Sequence, residues 1–316
     1  MERKPLGMIP SKYDNRDYRI SRFMAVDAAF PSSFALPNLP EIYDQGNIDQ
    51  CVAFATAELQ ESNQLRETGQ RMRLSNSWIY GNRDINTDYL GEGMEPREAL
   101  KHLCVDGVPP YDLMPGVYYY HYCWALVQNK KPELIAKARP QKALSYVRLL
   151  TNAEIQTALM NWGPVMMCIS VFNSFDWTGS NGIVQHVGEG ESSRGGHAML
   201  CVGWKQINGS SYWIVHNSWG KSWGKGGVCF IPFNYDGIRI GGECWGVTDW
   251  TPPIVKEVVM DVPVQLVNDR TMVPVRFIAE ALGGSASWDD ATQTATFKVG
   301  DKTIEATLGS KVLKVM

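Results

Sequence analysis

No run of apolar residues in this chain is long enough to cross a bilayer as a helix, so a helical membrane span is not expected. No basic block stands out either. Lys and Arg total 30 against 33 Asp and Glu, for a net charge of −3, and nucleic acid is not an expected partner. No Cys-x-x-Cys occurs among cysteines 51, 104, 123, 168, 201, 229 and 244, which leaves a zinc site unsupported. Seven is odd, so at least one thiol lies outside any intramolecular disulfide set. Six of the seven read by default as small buried hydrophobes, with a Cys229–Cys244 pair on neighbouring strands left open. The opening Met1-Glu2-Arg3-Lys4-Pro5-Leu6-Gly7 has no apolar core of the kind a secretory signal needs. The expectation is a cytoplasmic or non-classically released chain, or a surface-associated one if a leader has been removed.

What is there suits a folded protein. The apolar fraction is 44% and the length is 316 residues, enough for one large domain and one small one. Residues 1–36 are rich in Pro, Ser and Asn and read as an extended arm wrapped on a body. Residues 51–68 read as a helix with Gly69 as its C-cap. A second helix is expected over 95–105 from Pro96, and a third over 152–161 with Thr151 or Asn152 as N-cap. Pro164 to Val171 is a continuous apolar run of strand length. Met199–Trp204, Tyr212–His216 and Gly227–Pro232 are further strand candidates between Gly, Asn and Ser turns. Helices first and strands second make an α+β layout with two lobes. Thr251-Pro252-Pro253 reads as a linker. Residues 254–316 read as a separate small domain of short strands around one helix, Val275–Leu282.

Three segments carry chemistry. Cys51 follows a polar turn, Tyr43 to Gln50, and opens the first long helix. There the unpaired N–H groups and the helix dipole favour a thiolate; the plainer reading is a buried structural cysteine. Gln45, six residues earlier, can donate to an oxyanion alongside the Cys51 N–H. His197 follows Gly195-Gly196 and leads into an apolar strand, and the glycines let a substrate backbone approach. The plainer reading is a structural histidine, as for His102, His121, His186 and His216. Asn217-Ser218-Trp219-Gly220, followed by Trp223-Gly224, is the most specific signal. The Asn217 amide can fix one imidazole nitrogen so that the other faces a thiol, with Trp219 shielding that bond from water.

Gln45, Cys51-Val52-Ala53-Phe54, Gly196-His197-Ala198 and Asn217-Ser218-Trp219-Gly220 stand in the order of the papain-like cysteine peptidases, and the chain resembles that family over 37–250. The Cys-to-His gap of 146 residues is in the range the family shows. The resemblance implies a helical lobe and a β-barrel-like lobe with the active site between them, and no cofactor. It also implies Cys51 as nucleophile, His197 as base, Asn217 as orienting residue and Gln45 as oxyanion donor. By the same resemblance Met94, Glu95, Cys168, Gly195, Gly196 and Trp219 bind substrate, with Glu95 at the mouth of an apolar pocket and no charge deep inside it. The family's Cys-Gly-Ser-Cys-Trp is absent; Ile48-Asp49-Gln50-Cys51-Val52 stands there, and Asp49 opposes thiolate formation slightly. The long helical propeptide is absent too, so the arm is expected to pack along or near the cleft.

Met260-Asp261-Val262-Pro263, Arg270 to Gly283 and Trp288-Asp289-Asp290 resemble the small domain named after the N-terminal region of copper amine oxidases, which occurs on bacterial surface proteins. The chain ends soon after one copy, so an incomplete domain is expected. Residues 254–316 hold no His or Cys, and a copper site is unsupported. The resemblance implies attachment to a cell surface or a protein assembly. For the main domain the expectation is an endopeptidase acting on protein or peptide substrates. An acyltransferase or transpeptidase on the same scaffold, or a catalytically silent binding protein, are its rivals.

Overall fold

The computed structural model of the chain describes residues 4–27, 29–83, 91–248, 265–267, 270–272, 284–299, 302–308 and 313–315. The linker Thr251-Pro252-Pro253 and the expected helix Val275–Leu282 lie outside the described residues. The chain forms two compact units, Met1–Pro252 and Pro253–Met316.

In the first unit, helix α1 (Cys51–Thr68) is buried all round from Cys51 to Gln64 and serves as the spine of one lobe. It stops at Gly69, whose φ of 71° turns its N–H onto the Leu65 carbonyl at 2.9 Å. Around it pack α2 (Asn76–Gly81), capped by the Ser75 hydroxyl, α3 (Pro96–Val105), opened by its proline, and α4 (Tyr120–Ala138). Helix α4 is missing from the sequence reading. Its first turn is aromatic and Pro132 sits inside it, which together hide a helical period. Val52, Leu59, Trp78, Leu103 and Val127 belong to this lobe's core.

The second lobe is built on an antiparallel sheet. Its strands are β1 (Phe34–Ala35), β2 (Ser145–Leu149), β3 (Val165–Phe172), β4 (Ser193–Ile207), β5 (Ser210–His216), β6 (Val228–Pro232) and β7 (Glu243–Thr248). They run in the order β2-β7-β3-β4-β5-β6, with β1 added to β4. Helix α5 (Asn152–Asn161) packs beside β3, β4 and β7, and starts in a reciprocal capping box between Thr151 and Glu154. Val165, Ile169, Trp213, Val215 and Ile231 fill this core. The fold is therefore α+β in two lobes. All seven cysteines are free. The open question of a Cys229–Cys244 pair closes here: both thiols are free, and their strands β6 and β7 are not neighbours in the sheet.

The second unit is a small β domain. Strands β8 (Gln265–Val267) and β9 (Arg270–Met272) form one hairpin, and β10 (Ser285–Asp289), β11 (Thr294–Val299), β12 (Lys302–Thr307) and β13 (Leu313–Val315) form an antiparallel meander. The Asp289 carboxylate accepts from Ala291 N and Thr292 Oγ1 and so shapes the β10–β11 turn.

Candidate active site

Two loops bring the chemistry together. The turn before α1 is knitted to the loop after β5 by Gln45 N–H to the Ser218 carbonyl (2.8 Å) and Gly220 N–H to the Tyr43 carbonyl (3.0 Å). Gln50 pins the helix start. Its amide donates to the Tyr118 carbonyl at 2.6 Å, and its oxygen accepts from Asn76 at 2.8 Å. Cys51 is the first residue of α1, and its Sγ accepts from Ala198 N–H of β4 at 3.4 Å.

His197 lies one residue earlier on β4, opposite Ile169 of β3, and is fully buried. Its Nε2 is 2.8 Å from Asn217 Oδ1. That same atom accepts the Ser218 N–H at 2.8 Å, which identifies it as the amide oxygen. An amide oxygen only accepts, so Nε2 carries the proton and Nδ1 the lone pair. Nδ1 has no hydrogen-bond partner among the described residues. The Trp219 ring stacks on the imidazole, centroids 4.6 Å apart, and removes water from one face of the His197–Asn217 bond.

Gln45 is fully buried, and its Oε1 accepts from Ser218 Oγ at 2.6 Å. That bond turns Nε2 toward the Ile48 carbonyl (2.8 Å) and into the cleft. Ser218 is thus a positioning residue that the sequence reading passed over. Its place beside Asn217 was visible, its contact with Gln45 was not.

The N-terminal arm occupies the cleft. Arg194 Nη2 donates to the Lys4 carbonyl (3.1 Å), Trp219 Nε1 to Pro5 (3.0 Å) and Gln45 Nε2 to Leu6 (3.3 Å). The Leu6 N–H donates to Asp49 Oδ1 at 3.0 Å. Next, Met8 N–H meets the Gly196 carbonyl (3.0 Å), Met94 N–H meets Gly7 (2.8 Å) and Ile9 N–H meets Met94 (3.1 Å). The arm bridges Met94 in parallel and Gly196 in antiparallel sense. The Gly195-Gly196 pair is needed for this approach: a Cβ on Gly196 would lie 2.5 Å from the Met8 carbonyl oxygen. Beyond it, Ser11 N–H donates to Glu243 Oε1 (3.0 Å), and Arg97 chelates Asp17 at 2.8 and 2.6 Å.

Of the residues read as substrate-binding, Met94, Gly195, Gly196 and Trp219 all touch the arm. The buried Met8 side chain lies against Gly196. Cys168 is buried one strand away, opposite Ala198 on β4 and Glu243 on β7. Glu95 is the N-cap of α3, and partial burial raises its carboxyl. The expectation of no charge deep in the pocket needs a correction, because buried Glu243 stands beside Cys168. Arg148 Nη2 stands 3.7 Å from its free oxygen and offsets the charge. Its signal in the sequence is slight, a lone acid after Gly241-Gly242 at the head of an apolar strand.

Burial changes the expected ionisation. Enclosure from water pushes the Cys51 thiol up to about 12, against the pull of the Ala198 N–H, and Asp49 adds to the rise. Burial also takes His197 down to about 4. With the arm in place the pair is a neutral thiol and a neutral imidazole, where the helix terminus alone led to the expectation of a thiolate.

Residues 32–244 match the model of the papain family cysteine proteases, and residues 255–316 match that of the copper amine oxidase N-terminal domain. A cysteine protease of the mite Blomia tropicalis is 25% identical over 207 residues, 64% of this chain and 60% of that protein. The chain therefore spans under two thirds of that relative's length. An uncharacterized peptidase C1-like protein of Acanthamoeba polyphaga mimivirus is 28% identical, over 79% of this chain and 88% of its own. The crystal structure of xylellain, a cysteine protease from Xylella fastidiosa, superposes with a TM-score of 0.66 at 23% identity. That match covers 79% of this chain and 99% of that one. With the model matched across both lobes and both loops of the site, the chain belongs to the papain family of cysteine proteases.

Proposed function

We propose that the chain is a cysteine endopeptidase in which Cys51 is the nucleophile, His197 the base and Asn217 the orienting residue. The observation that carries this is the His197 Nε2–Asn217 Oδ1 bond, because it leaves a buried Nδ1 lone pair on the ring next to the residue whose N–H touches the thiol. His197 takes the thiol proton and Cys51 Sγ attacks the peptide carbonyl. The resulting oxyanion is held by Gln45 Nε2 and the Cys51 N–H at the start of α1. The C–N bond breaks as the imidazolium returns its proton to the amine, leaving a thioester. Water, deprotonated by His197, then hydrolyses the thioester and the thiol is restored. The accessory domain supplies no group to this sequence and serves attachment to a surface or an assembly.

The preferred side chain two residues before the scissile bond is apolar, such as Leu, Val or Phe. The support is the apolar seat that Met8 fills against Gly196, together with the neutralisation of Glu243 by Arg148. Acyl transfer to an amine would use the same thioester and is the rival outcome. A fluorogenic peptide assay with a Cys51→Ala control tests the reading: hydrolysis abolished by the substitution is expected. Aminolysis in place of hydrolysis would favour the rival, and no turnover by a folded, arm-displaced enzyme would overturn both.

A further inference from the structure

A cavity of about 580 Å³ opens in the first unit, and none of the candidate catalytic residues stands in its wall. It lies where α1, the end of α5, the end of β7 and the arm meet. Part of the lining is apolar. Phe23 of the arm meets Trp162 edge to face, ring centroids 5.7 Å apart, and Val247 of β7 lines the same space. The α1 side is polar. Asn63 and Arg66 stand one turn apart on that helix, and both converge on Gly163. A Cβ there would lie 2.7 Å from Asn63 Oδ1 and 2.3 Å from Arg66 Nη1, and the glycine's φ of 123° is one that other residues rarely adopt.

The two polar groups are unequally satisfied. Arg66 Nη1 donates to the Trp162 carbonyl, and the exposed guanidinium keeps its other N–H groups open to an anion. Asn63 is buried, and its Oδ1 has no hydrogen-bond partner among the described residues. An enclosed acceptor left unpaired is costly, and a ligand N–H removes that cost, the amide swinging about its terminal torsion to meet it. The cavity thus joins a cation, an orphan acceptor and an aromatic wall, the composition of a small-ligand site.

We infer that this cavity binds a free apolar α-amino acid of the size of leucine. Its carboxylate pairs with Arg66, its ammonium donates to Asn63 Oδ1, and its side chain lies on Phe23 and Trp162. Two polar atoms so close to one point require both ligand charges on one carbon, which favours an amino acid over a longer peptide. The Glu67 carboxylate lines the same cavity and adds to the attraction for an ammonium. The inference does not rest on the peptidase reading.

The test is titration calorimetry on the full chain carrying Cys51→Ala, which excludes turnover. The probes are L-leucine, L-leucinamide, which lacks the carboxylate, and 4-methylpentanoate, which lacks the amine. We expect leucine to bind most tightly and each of the other two about tenfold more weakly, the size of one lost charge-assisted hydrogen bond. Arg66→Met should weaken leucine about tenfold and leave leucinamide unchanged, and Arg66→Lys should restore part of the loss. Circular dichroism checks that both variants are folded, as the exposed position of Arg66 leads one to expect. The inference is overturned if leucine does not bind up to its solubility, if leucinamide binds as tightly as leucine, or if Arg66→Met changes neither affinity or both alike.

Discussion

The carbonyl oxygen of Leu6 lies 3.3 Å from the side-chain amide nitrogen of Gln45, so the chain's own arm occupies the donor that an oxyanion would use. The arm pairs in parallel with Met94 and reaches Glu243 at Ser11, holding the cleft along its length. Each of these hydrogen bonds contributes about 1 kcal/mol net, and together they make a firm but reversible cover.

Loosening that cover should raise activity. Met8→Asp forces a carboxylate against Gly196 in a buried seat, which costs several kcal/mol and drives the arm out. Each ~1.4 kcal/mol of lost cover frees the cleft about tenfold more often. We expect kcat/KM on a short peptide to rise at least about tenfold, and iodoacetamide to label Cys51 faster as water returns to the thiol. Unaltered kinetics in a folded variant would show that the arm does not restrain the enzyme.

The triad members should rank by role. In the arm-displaced background, Cys51→Ala and His197→Ala should each remove turnover to the detection limit, since one forms the thioester and the other moves its proton. Asn217→Ala should leave residual activity, because the amide orients the ring and transfers no proton. Wild-type rates from His197→Ala would refute the assignment.

Stability should fall as pH rises from about 4.5 to about 7 because of Glu61. This carboxyl is buried in α1, accepts from the Leu74 N–H (2.7 Å) and the Tyr43 hydroxyl (2.8 Å), and is pushed up to about 7 by its burial. A folded value above the unfolded one means that the native state holds the extra proton between about 4.5 and 7. The Glu61 contribution is therefore most favourable below that window, declines through it, and is fully lost above about 7. The loss is on the order of 3 kcal/mol. Urea unfolding of Glu61→Gln from pH 4 to 8 should give a flatter profile than the native chain; parallel profiles would exclude this carboxyl as the source.

The accessory domain should be dispensable for chemistry. The two units are each compact, and the candidate catalytic residues Gln45, Cys51, His197 and Asn217 all lie in the first. A chain truncated after Pro253 should remain folded by circular dichroism and turn over a short peptide at the full-length rate. A large gain would show that residues 254–316 occlude the cleft, and collapse of the fold would show one folding unit.

Several elements are legible in the sequence because their signals are local. Gly69 ends α1, Thr151 with Glu154 starts α5, and the run after Pro164 makes β3. Helix α4 is not legible, since Pro132 and its aromatic first turn contradict a helix that tertiary packing nonetheless holds. Strand β7 escapes for a similar reason: Glu243 opens it with a charge that Arg148 and the Ser11 N–H help to balance.

The reactive groups themselves, Gln45, Cys51, His197 and Asn217, could be named from the order of residues, because a polar turn before a helix and an Asn-Ser-Trp-Gly turn after a strand are built from neighbours in the chain. Three matters were decided by the tertiary structure alone. These are the seating of Leu6 on Gln45, the lock that Ser218 places on that amide, and the neutral state of the thiol. The two contacts join residues 39 and 173 positions apart, and sequence spacing carries no trace of such a meeting. The ionisation of Cys51 depends on how completely folding excludes water from its sulfur, which is set by everything packed around it and not by the residues beside it in the chain.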